Sequence, residues 1–408
     1  MQVGALVANG ADIVKMQIGE PDFLTPVPVI EEAKRCLDGD VLQETGNTRT
    51  GYSHPSGTTG LKVKLAHYMN ERGSGVLPEH IVIGPGCKPG IFLSMLATLE
   101  PGDEVIGPDP GFPAYINGAE VAGAEFVRVP LTPDGSAYDM EALKGAINPK
   151  TKMVVVNSPG NPTGAIFSQE HLQEIAEAVM AHPDQHIWVL SDEIYSRLVF
   201  NGERFAPSML GCCDSLPGFR DRLILADGFS KTWCMTGFRL GWIVAPTHFA
   251  ETLYNLMVHA VGCTCSFTQK AAMVALPPMD GAGPEEAERY AAVEAEVGVM
   301  IATYKQRVKL VTKLLNQIDG VFCPEPRGAF YAWVNVEGAL KRTGLTTQEL
   351  ADACLEAAEG VAVLPGGDFG PNGEGNIRLS LASSPEELTE GCRRIKCVID
   401  GLPTLVID

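Results

Sequence analysis

The sequence predicts an α/β protein in which a mostly parallel β-sheet lies between helices. Short, continuous apolar runs recur along the chain, as at 153–156, 187–190 and 223–225. Runs of this kind are typical of strands that are buried on both faces of a parallel sheet. Helical patterns separate them, as at 168–181, and this alternation is typical of a parallel sheet. At 408 residues the chain exceeds the usual size of one hydrophobic core, so we expect two domains.

The composition argues against several classes of protein. The net charge of −19 disfavours non-specific nucleic-acid binding, which needs a basic surface. No apolar run approaches the length of a membrane span, and the first residues lack the charged-then-apolar pattern of a secretory signal. Eleven cysteines, an odd number, disfavour a disulfide framework and favour the reducing cytoplasm. Their spacing is not that of a zinc site, so we expect no metal.

A single lysine follows the apolar run at 223–225. Lys231 has small and aromatic neighbours, and burial would make its amine lose a proton more readily and act as a nucleophile. Lysine nucleophiles form Schiff bases with carbonyl compounds, including the aldehyde of pyridoxal phosphate. The fork of Arg239 suits a dianionic phosphate. From these residues alone, a strand-end loop with a surface lysine and arginine is the alternative.

A glycine-rich loop follows another predicted strand, at 81–83. Gly86, Cys87 and Lys88 lead from this strand into an apolar helix, an arrangement that aims free backbone N–H groups and the helix dipole at an anion. Pro89 stands where a dinucleotide fingerprint has its third glycine. A mononucleotide-like phosphate is therefore favoured over NAD.

Three further side chains lie just beyond predicted strands. Phe112 lies between two prolines, and a flat ring gains from stacking on such a rigid aromatic face. Asp192 leaves the end of a buried strand, where a carboxylate can pair with a protonated pyridine nitrogen. Asn161 follows another strand in a turn. Sites in α/β sheets gather outside the carboxyl ends of the strands, so we expect these side chains to lie near Lys231.

The segment at 230–242, SKTWCMTGFRLGW, resembles the lysine signature of class I and II aminotransferases. Segments 157–164, NSPGNPTG, and 191–195, SDEIY, are similar to further motifs of that family. Its members are fold-type I pyridoxal-phosphate enzymes of the aspartate aminotransferase family. The resemblance implies a large domain with a mostly parallel seven-stranded sheet between helices, plus a smaller α+β domain. We expect the large domain at 31–283 and the small domain at 284–408, joined by the segment 1–30.

The same resemblance implies roles for individual residues. Lys231 would hold the cofactor pyridoxal 5'-phosphate as a Schiff base and then move the substrate's Cα proton. Asp192 would pair with the ring nitrogen, Phe112 would stack on the ring, and Asn161 and Tyr195 would bind its 3-oxygen. The residues implied for the phosphate are Gly86, Cys87, Lys88, Ser230 and Arg239, with Tyr52 reaching over from the second subunit of a homodimer. The residues implied for the substrate are Gly19, Asn161 and Arg378, the last of which would bind the α-carboxylate.

The activity implied is transfer of an amino group between an L-amino acid and a 2-oxo acid. A pyridoxal-phosphate lyase, such as a carbon–sulfur lyase, stays open because reaction choice depends on which Cα bond is aligned with the ring. A noncatalytic sensor is disfavoured, since Lys231 is intact and we expect no DNA-binding module before Gly19. Lys88 is either a solvated lysine or a partner for a distal carboxylate. Tyr115 is expected to be structural, and Asp109, between two prolines, to lie in a turn.

Overall fold

We describe a computed structural model of the chain, which covers residues 2–38, 51–183 and 185–401. The strands are β1 (Ile13–Lys15), β2 (Ile81–Gly84), β3 (Glu104–Asp109), β4 (Glu125–Pro130), β5 (Thr151–Asn157), β6 (Trp188–Asp192), β7 (Leu223–Gly228), β8 (Gly241–Val244), β9 (Tyr331–Asn335), β10 (Gly360–Ala362), β11 (Leu364–Pro365) and β12 (Asn376–Ser380). The helices are α1 (Gln2–Ala8), α2 (Val27–Asp38), α3 (Thr59–Met69), α4 (Cys87–Thr98), α5 (Ala114–Val121), α6 (Met140–Ala146), α7 (Gln169–Met180), α8 (Met209–Ser215), α9 (Phe229–Thr232), α10 (Thr247–Ala260), α11 (Ser266–Ala272), α12 (Pro284–Leu315), α13 (Glu337–Thr343), α14 (Thr347–Glu356) and α15 (Pro385–Gly401).

The larger sheet has seven strands in the order β2-β8-β7-β6-β5-β3-β4. The strands from β7 to β4 are parallel to one another, whereas β8 pairs antiparallel with both β7 and β2. Every residue of β6 and β7 is buried, as continuous apolar strands in the middle of a covered sheet must be. This arrangement confirms the predicted fold class. The antiparallel position of β8 was not foreseen.

The later part of the chain builds a smaller sheet, with β11, β12 and β9 paired antiparallel in that order. The short strand β1 does not join either of these sheets. It pairs in parallel with β10, so that Ile13 lies opposite Gly360. The first strand of the chain is thereby fixed to a segment near its other end.

Local signals set several element boundaries. In the capping box that opens α14, Thr346 Oγ1 accepts from the N–H of Glu349 at 3.2 Å, and the Glu349 carboxylate accepts from the N–H of Thr346 at 2.8 Å. These two hydrogen bonds fix the start of that helix. The prediction for Asp109 was wrong, because it is the buried last residue of β3 and lies opposite Pro130 of β4.

All eleven cysteines are free thiols. Over the described ranges, no helix is both long and apolar enough to cross a membrane. The same residues contain no group of three or more His, Cys, Asp or Glu side chains that could hold a metal ion.

Candidate active site

The carboxyl ends of β5, β6 and β7 border a cavity of about 670 Å³, the position at which α/β sheets place their sites. Its wall contains most of the residues predicted for the site, namely Gly19, Cys87, Lys88, Phe112, Asn161, Asp192, Tyr195, Ser230, Lys231, Arg239 and Arg378. Gly86 immediately precedes the wall residue Cys87. Tyr52 lies outside the wall and is 84% exposed. The structure therefore brings together side chains that are up to several hundred positions apart in the sequence.

Lys231 lies on α9, the short helix that follows β7 directly. Its Nζ donates a hydrogen bond to the carbonyl oxygen of Gly19 at 2.5 Å. The pKa of Lys231 is lowered from 10.5 to about 8, chiefly because the amine is buried; the charges of Lys88 and Arg378 also lower it, while those of Glu20 and Asp192 raise it. A substantial fraction of the amine is therefore neutral near pH 8 and can act as a nucleophile or a base.

Asp192, the last residue of β6, is a buried acceptor at the cavity wall. The Tyr115 hydroxyl donates to Oδ2 at 2.8 Å, and the N–H of Ile194 and the thiol of Cys87 donate to Oδ1 at 3.2 and 3.6 Å. Burial raises the pKa of Asp192, while the hydrogen bonds from Tyr115 and Ile194 lower it. Tyr115 was expected to be only structural. Its contact with Asp192 joins α5 to β6, which no local sequence pattern reveals.

Arg378, in the middle of β12, is held by neutral groups. Its guanidinium donates to Asn161 Oδ1 at 2.9 Å and to the carbonyl oxygen of Gln17 at 2.7 Å. It lies 4.4 Å from the ring centroid of Tyr331 and 5.1 Å from that of Phe369. Within the described ranges no carboxylate forms an ion pair with it, although the charge of Asp368 on the same wall acts on it, and its buried Nε has no hydrogen-bond partner. The described part of the chain therefore does not hold this arginine in an internal ion pair.

Tyr195 and Tyr331 form a buried pair beside Arg378. Their hydroxyl oxygens are 2.8 Å apart. Tyr331 lies in β9 and lines the cavity, although nothing in its sequence context marks it as a site residue. A tyrosine in an apolar strand pattern looks like a core residue, and its role becomes visible only when β9 and the loop after β6 are seen together.

An anion cradle lies at the start of α4. Gly86 precedes the helix with a φ of 114°, which favours glycine, and no side chain caps the helix N-terminus. A Cβ added at Gly86 would lie 2.8 Å from the Arg239 guanidinium, so glycine lets the backbone and this cation approach each other. The free N–H groups of Cys87 and Lys88 and the charge of Arg239 thus suit a phosphate.

Each part of pyridoxal phosphate has a fitting counterpart in this wall. The cradle at α4 suits the phosphate, the buried Asp192 carboxylate suits a ring N–H, and the amine of Lys231 suits the aldehyde. Lys88 Nζ lies 5.0 Å from the ring centroid of Phe112, so this aromatic face also borders the cavity. A seven-stranded sheet of this type with such a set of groups defines the class of pyridoxal-phosphate enzymes.

Comparisons with known proteins identify the family within that class. The family described as Aminotransferase class I and II matches residues 11–395. The chain is 35% identical to an aspartate aminotransferase of Pyrococcus horikoshii, over 96% of this chain and 91% of that protein. It is 34% identical to an arginine–pyruvate transaminase of Pseudomonas aeruginosa, over 96% of this chain and 91% of that protein. A solved structure of Thermus thermophilus aspartate aminotransferase with maleate has a TM-score of 0.84 at 31% identity, covering 97% of this chain and 94% of that one.

The chain therefore belongs to the class I and II aminotransferases and is an aminotransferase of the aspartate aminotransferase-like kind. Enzymes of this family use pyridoxal phosphate and act on amino acids and 2-oxo acids. The predictions of family, fold, activity and cofactor are thereby confirmed.

Proposed function

We propose that Lys231, Asp192 and Arg378 carry out the amino-group transfer between an L-amino acid and a 2-oxo acid. The observation that carries the proposal is that one cavity holds an amine whose pKa is about 8, a buried carboxylate and a guanidinium without a carboxylate partner among the described residues. The amine of Lys231 would accept a proton, the carboxylate of Asp192 would accept a hydrogen bond from the ring N–H, and the guanidinium of Arg378 would bind the α-carboxylate.

Several residues would hold the cofactor. The N–H groups of Cys87 and Lys88, together with Ser230 and Arg239, would bind the phosphate next to Gly86. Phe112 would offer its face to the ring. Once bound, pyridoxal phosphate supplies an aldehyde that condenses with amines and a ring that takes up the electron pair left when the Cα proton departs.

Asn161 and Tyr195 would bind the 3-oxygen of the ring. Asn161 accepts a hydrogen bond from Arg378 through Oδ1, which leaves its Nδ2 free to donate to that oxygen. The hydroxyl of Tyr195 is a second donor at the same wall. Donors on both sides favour the ionised form of the 3-oxygen.

Lys231 would move the substrate proton. Its Nζ lies on the cavity wall against the carbonyl oxygen of Gly19, and its pKa, lowered by burial to about 8, leaves a fraction of the amine neutral. A neutral amine can take up the proton released from Cα and return it on the same side. Arg378 would hold the substrate by its α-carboxylate beside the backbone of Gly19, so that the Cα–H bond faces Lys231.

We propose acidic amino acids as the donors to test first. Lys88 lines the cavity and has no ion pair among the described residues, so its charge is available to a distal carboxylate. Of the three proteins described above, two are named for aspartate and one for arginine and pyruvate. The donor therefore has to be established by experiment.

The test of the reaction is a half-reaction with single amino acids and no 2-oxo acid. A transaminase should release one equivalent of the matching 2-oxo acid per site and then stop, with a lasting change in the absorbance of the bound cofactor. A lyase would instead release pyruvate with ammonia or a thiol continuously. That second outcome would contradict the proposed reaction.

The test of Lys231 is covalent. Reduction of the holoenzyme with borohydride and peptide mass spectrometry should find the cofactor mass on Lys231. Lys231→Ala should lose this label and all measurable turnover, because the nucleophile and the base are removed together. Lys88→Ala, which changes another lysine of the same cavity, is the control and should retain the label. A label on any other residue in the wild-type chain would refute the assignment.

We also propose a homodimer in which Tyr52 contacts the cofactor phosphate of the other subunit. The support is the resemblance to the family together with the exposure of Tyr52, which is 84% in the single chain. Light scattering should give twice the mass of 43.6 kDa, and Tyr52→Phe should weaken cofactor binding. A monomer that binds the cofactor with full affinity would contradict this proposal.

We further propose the domain limits 31–283 and 284–408, with 1–30 joining the small domain. In support, all seven strands of the larger sheet lie between 81 and 244, and β1 pairs with β10. Limited proteolysis should cut first near 276–283.

A cytoplasmic location is also proposed, supported by eleven free cysteines, and cell fractionation tests it.

A further inference from the structure

The hydrogen bond between Tyr195 and Tyr331 joins two parts of the cavity that the proposed function treats separately. One part is the ring-oxygen site with Tyr195, and the other is the carboxylate site with Arg378. Tyr331 touches both, because its hydroxyl is 2.8 Å from that of Tyr195 and its ring centroid is 4.4 Å from the Arg378 guanidinium.

When the cofactor is bound, the number of hydroxyl protons on the two tyrosines fixes which of them donates this hydrogen bond. A tyrosine hydroxyl donates one hydrogen bond, and the proposed function assigns the proton of Tyr195 to the ring oxygen. The proton between the two hydroxyls must then come from Tyr331. A donor that is itself an acceptor becomes a stronger donor, so Tyr331 would strengthen the bond from Tyr195 to the ring. Burial raises the pKa of both tyrosines, so both hydroxyls keep their protons at neutral pH.

The ring of Tyr331 acts on the carboxylate site with Arg378. A guanidinium over an aromatic face is attracted by the ring quadrupole. The other contacts of Arg378 are to Asn161, the carbonyl oxygen of Gln17 and the ring of Phe369, which are neutral. The ring face of Tyr331 therefore fixes the plane of the guanidinium without consuming the charge that a substrate carboxylate needs.

Gly19 leaves room for this arrangement. A Cβ added at Gly19 would lie 2.7 Å from the Tyr331 hydroxyl oxygen, closer than real Cβ contacts. A side chain at this position would displace the hydroxyl from Tyr195. Glycine is thus required here for a steric reason, because a larger residue would collide with Tyr331.

We propose that Tyr331 is a positioning residue that couples the ring-oxygen site to the carboxylate site, its hydroxyl acting through Tyr195 and its ring through Arg378. The inference rests on the proposed role of Tyr195. It assigns the two halves of one side chain to two separable effects, one on the cofactor and one on substrate binding.

The test is a pH titration of the visible absorbance of the bound cofactor. Tyr331→Phe removes the hydroxyl but keeps the ring, so the apparent pKa of the absorbance should rise by roughly half a unit, as expected for one weakened hydrogen bond. The reason is that Tyr195, without Tyr331 as its donor, gives a weaker hydrogen bond to the ring oxygen. The oxygen then keeps more negative charge and holds the proton that it shares with the nitrogen of Lys231 up to a higher pH. The KM for the amino donor should stay near the wild-type value. Tyr331→Leu also removes the ring, and its KM should rise about threefold to tenfold.

Tyr304→Phe is the matched control. Tyr304 belongs to the same aromatic cluster, but its hydroxyl donates to Asp22 at 3.1 Å instead of facing Tyr195. Its titration should equal that of the wild type. Gly19→Ala serves as a second variant where Tyr331→Phe does not fold, and it should produce a shift in the same direction.

Tyr195→Phe separates this inference from the proposed function. In the Tyr195→Phe background, Tyr331→Phe should add no further shift. If Tyr195→Phe shifts the titration and Tyr331→Phe leaves it at the wild-type value, the coupling is overturned and the role of Tyr195 stands. If neither variant shifts it, both are overturned.

Discussion

The cavity has two ends that solve opposite problems. At the sheet end, the Asp192 carboxylate accepts hydrogen bonds from Tyr115, Ile194 and Cys87. At the β12 end, Arg378 uses part of its donors on Asn161 and the carbonyl oxygen of Gln17, and its buried Nε has no partner among the described residues. The acceptor end is closely surrounded by donors, whereas the cation end keeps unused donors.

This difference matches how long each ligand would stay: the cofactor at the sheet end through many turnovers, and the substrate at the β12 end for one. A cofactor that stays through many turnovers gains from a fixed partner, since a preorganised group needs no rearrangement. A substrate that enters and leaves in each turnover needs a cation whose existing contacts are weak enough to be displaced. Arg378 therefore suits an exchanging carboxylate, because neutral groups and ring faces hold its position and no carboxylate of the described residues forms an ion pair with it.

Of the two ends of the cavity, the sheet end should show the larger effect. Asp192→Ala should lower turnover about 10²–10⁴-fold while some cofactor stays bound, because breaking a buried ion pair costs about 3–5 kcal/mol. Tyr115→Phe, which removes one of the donors to the carboxylate, should have a much smaller effect. Steady-state kinetics and cofactor content measure both. Near-normal turnover of Asp192→Ala would exclude its role at the ring nitrogen.

The cation end should respond in substrate binding. Arg378→Ala should lower kcat/KM for every amino donor by about 10²–10³-fold, as expected when one partner of a buried charge pair is removed. Arg378→Lys should recover part of this loss, since it restores the charge without the fork. A primary amine that lacks the α-carboxylate is the control substrate. If its kcat/KM falls as far as that of the amino acid, Arg378 does not bind the carboxylate.

The smallest expected effect concerns Lys231, on which charged groups act with opposite signs. Lys88 and Arg378 lower its pKa, while Glu20 and Asp192 raise it. The apoprotein should attach pyridoxal phosphate about tenfold faster per pH unit up to about pH 8, the pKa of the amine, and no faster above it. Stopped-flow absorbance measures this rate.

Two charge variants give the sign of this effect. Lys88→Gln removes a cation and should move the midpoint to higher pH. Glu20→Gln removes an anion and should move it to lower pH. A rate that still climbs between pH 9 and 10 in the wild-type chain would mean that the amine has its ordinary pKa of 10.5.

The sequence predicted those parts of the molecule that depend on local pattern. Continuous apolar runs identified β5, β6 and β7, and the residues just beyond them, Asn161 and Asp192, lie in the cavity wall as expected. A strand with both faces covered leaves a strong signal in its own residues. The position of its carboxyl end then follows from the general rule for parallel sheets.

The parts that the sequence did not predict depend on distant partners. Tyr115 and Tyr331 occupy positions that are ordinary for core residues, and their hydroxyl groups matter because of Asp192 and Tyr195. The prediction of a turn at Asp109 failed for a related reason. Its flanking prolines suggested a turn, but pairing with β4 extends the strand to this residue.

The pairing of β1 with β10 has a consequence for the order of events on the ribosome. Residue 360 emerges long after residue 15, by about 20–70 s at usual rates of translation. Until then β1 has no partner strand, and the following segment, which carries Gly19, lacks this anchor. The newborn chain can form the seven-stranded sheet first, while the wall around Lys231 closes only after residues 360–362 have emerged.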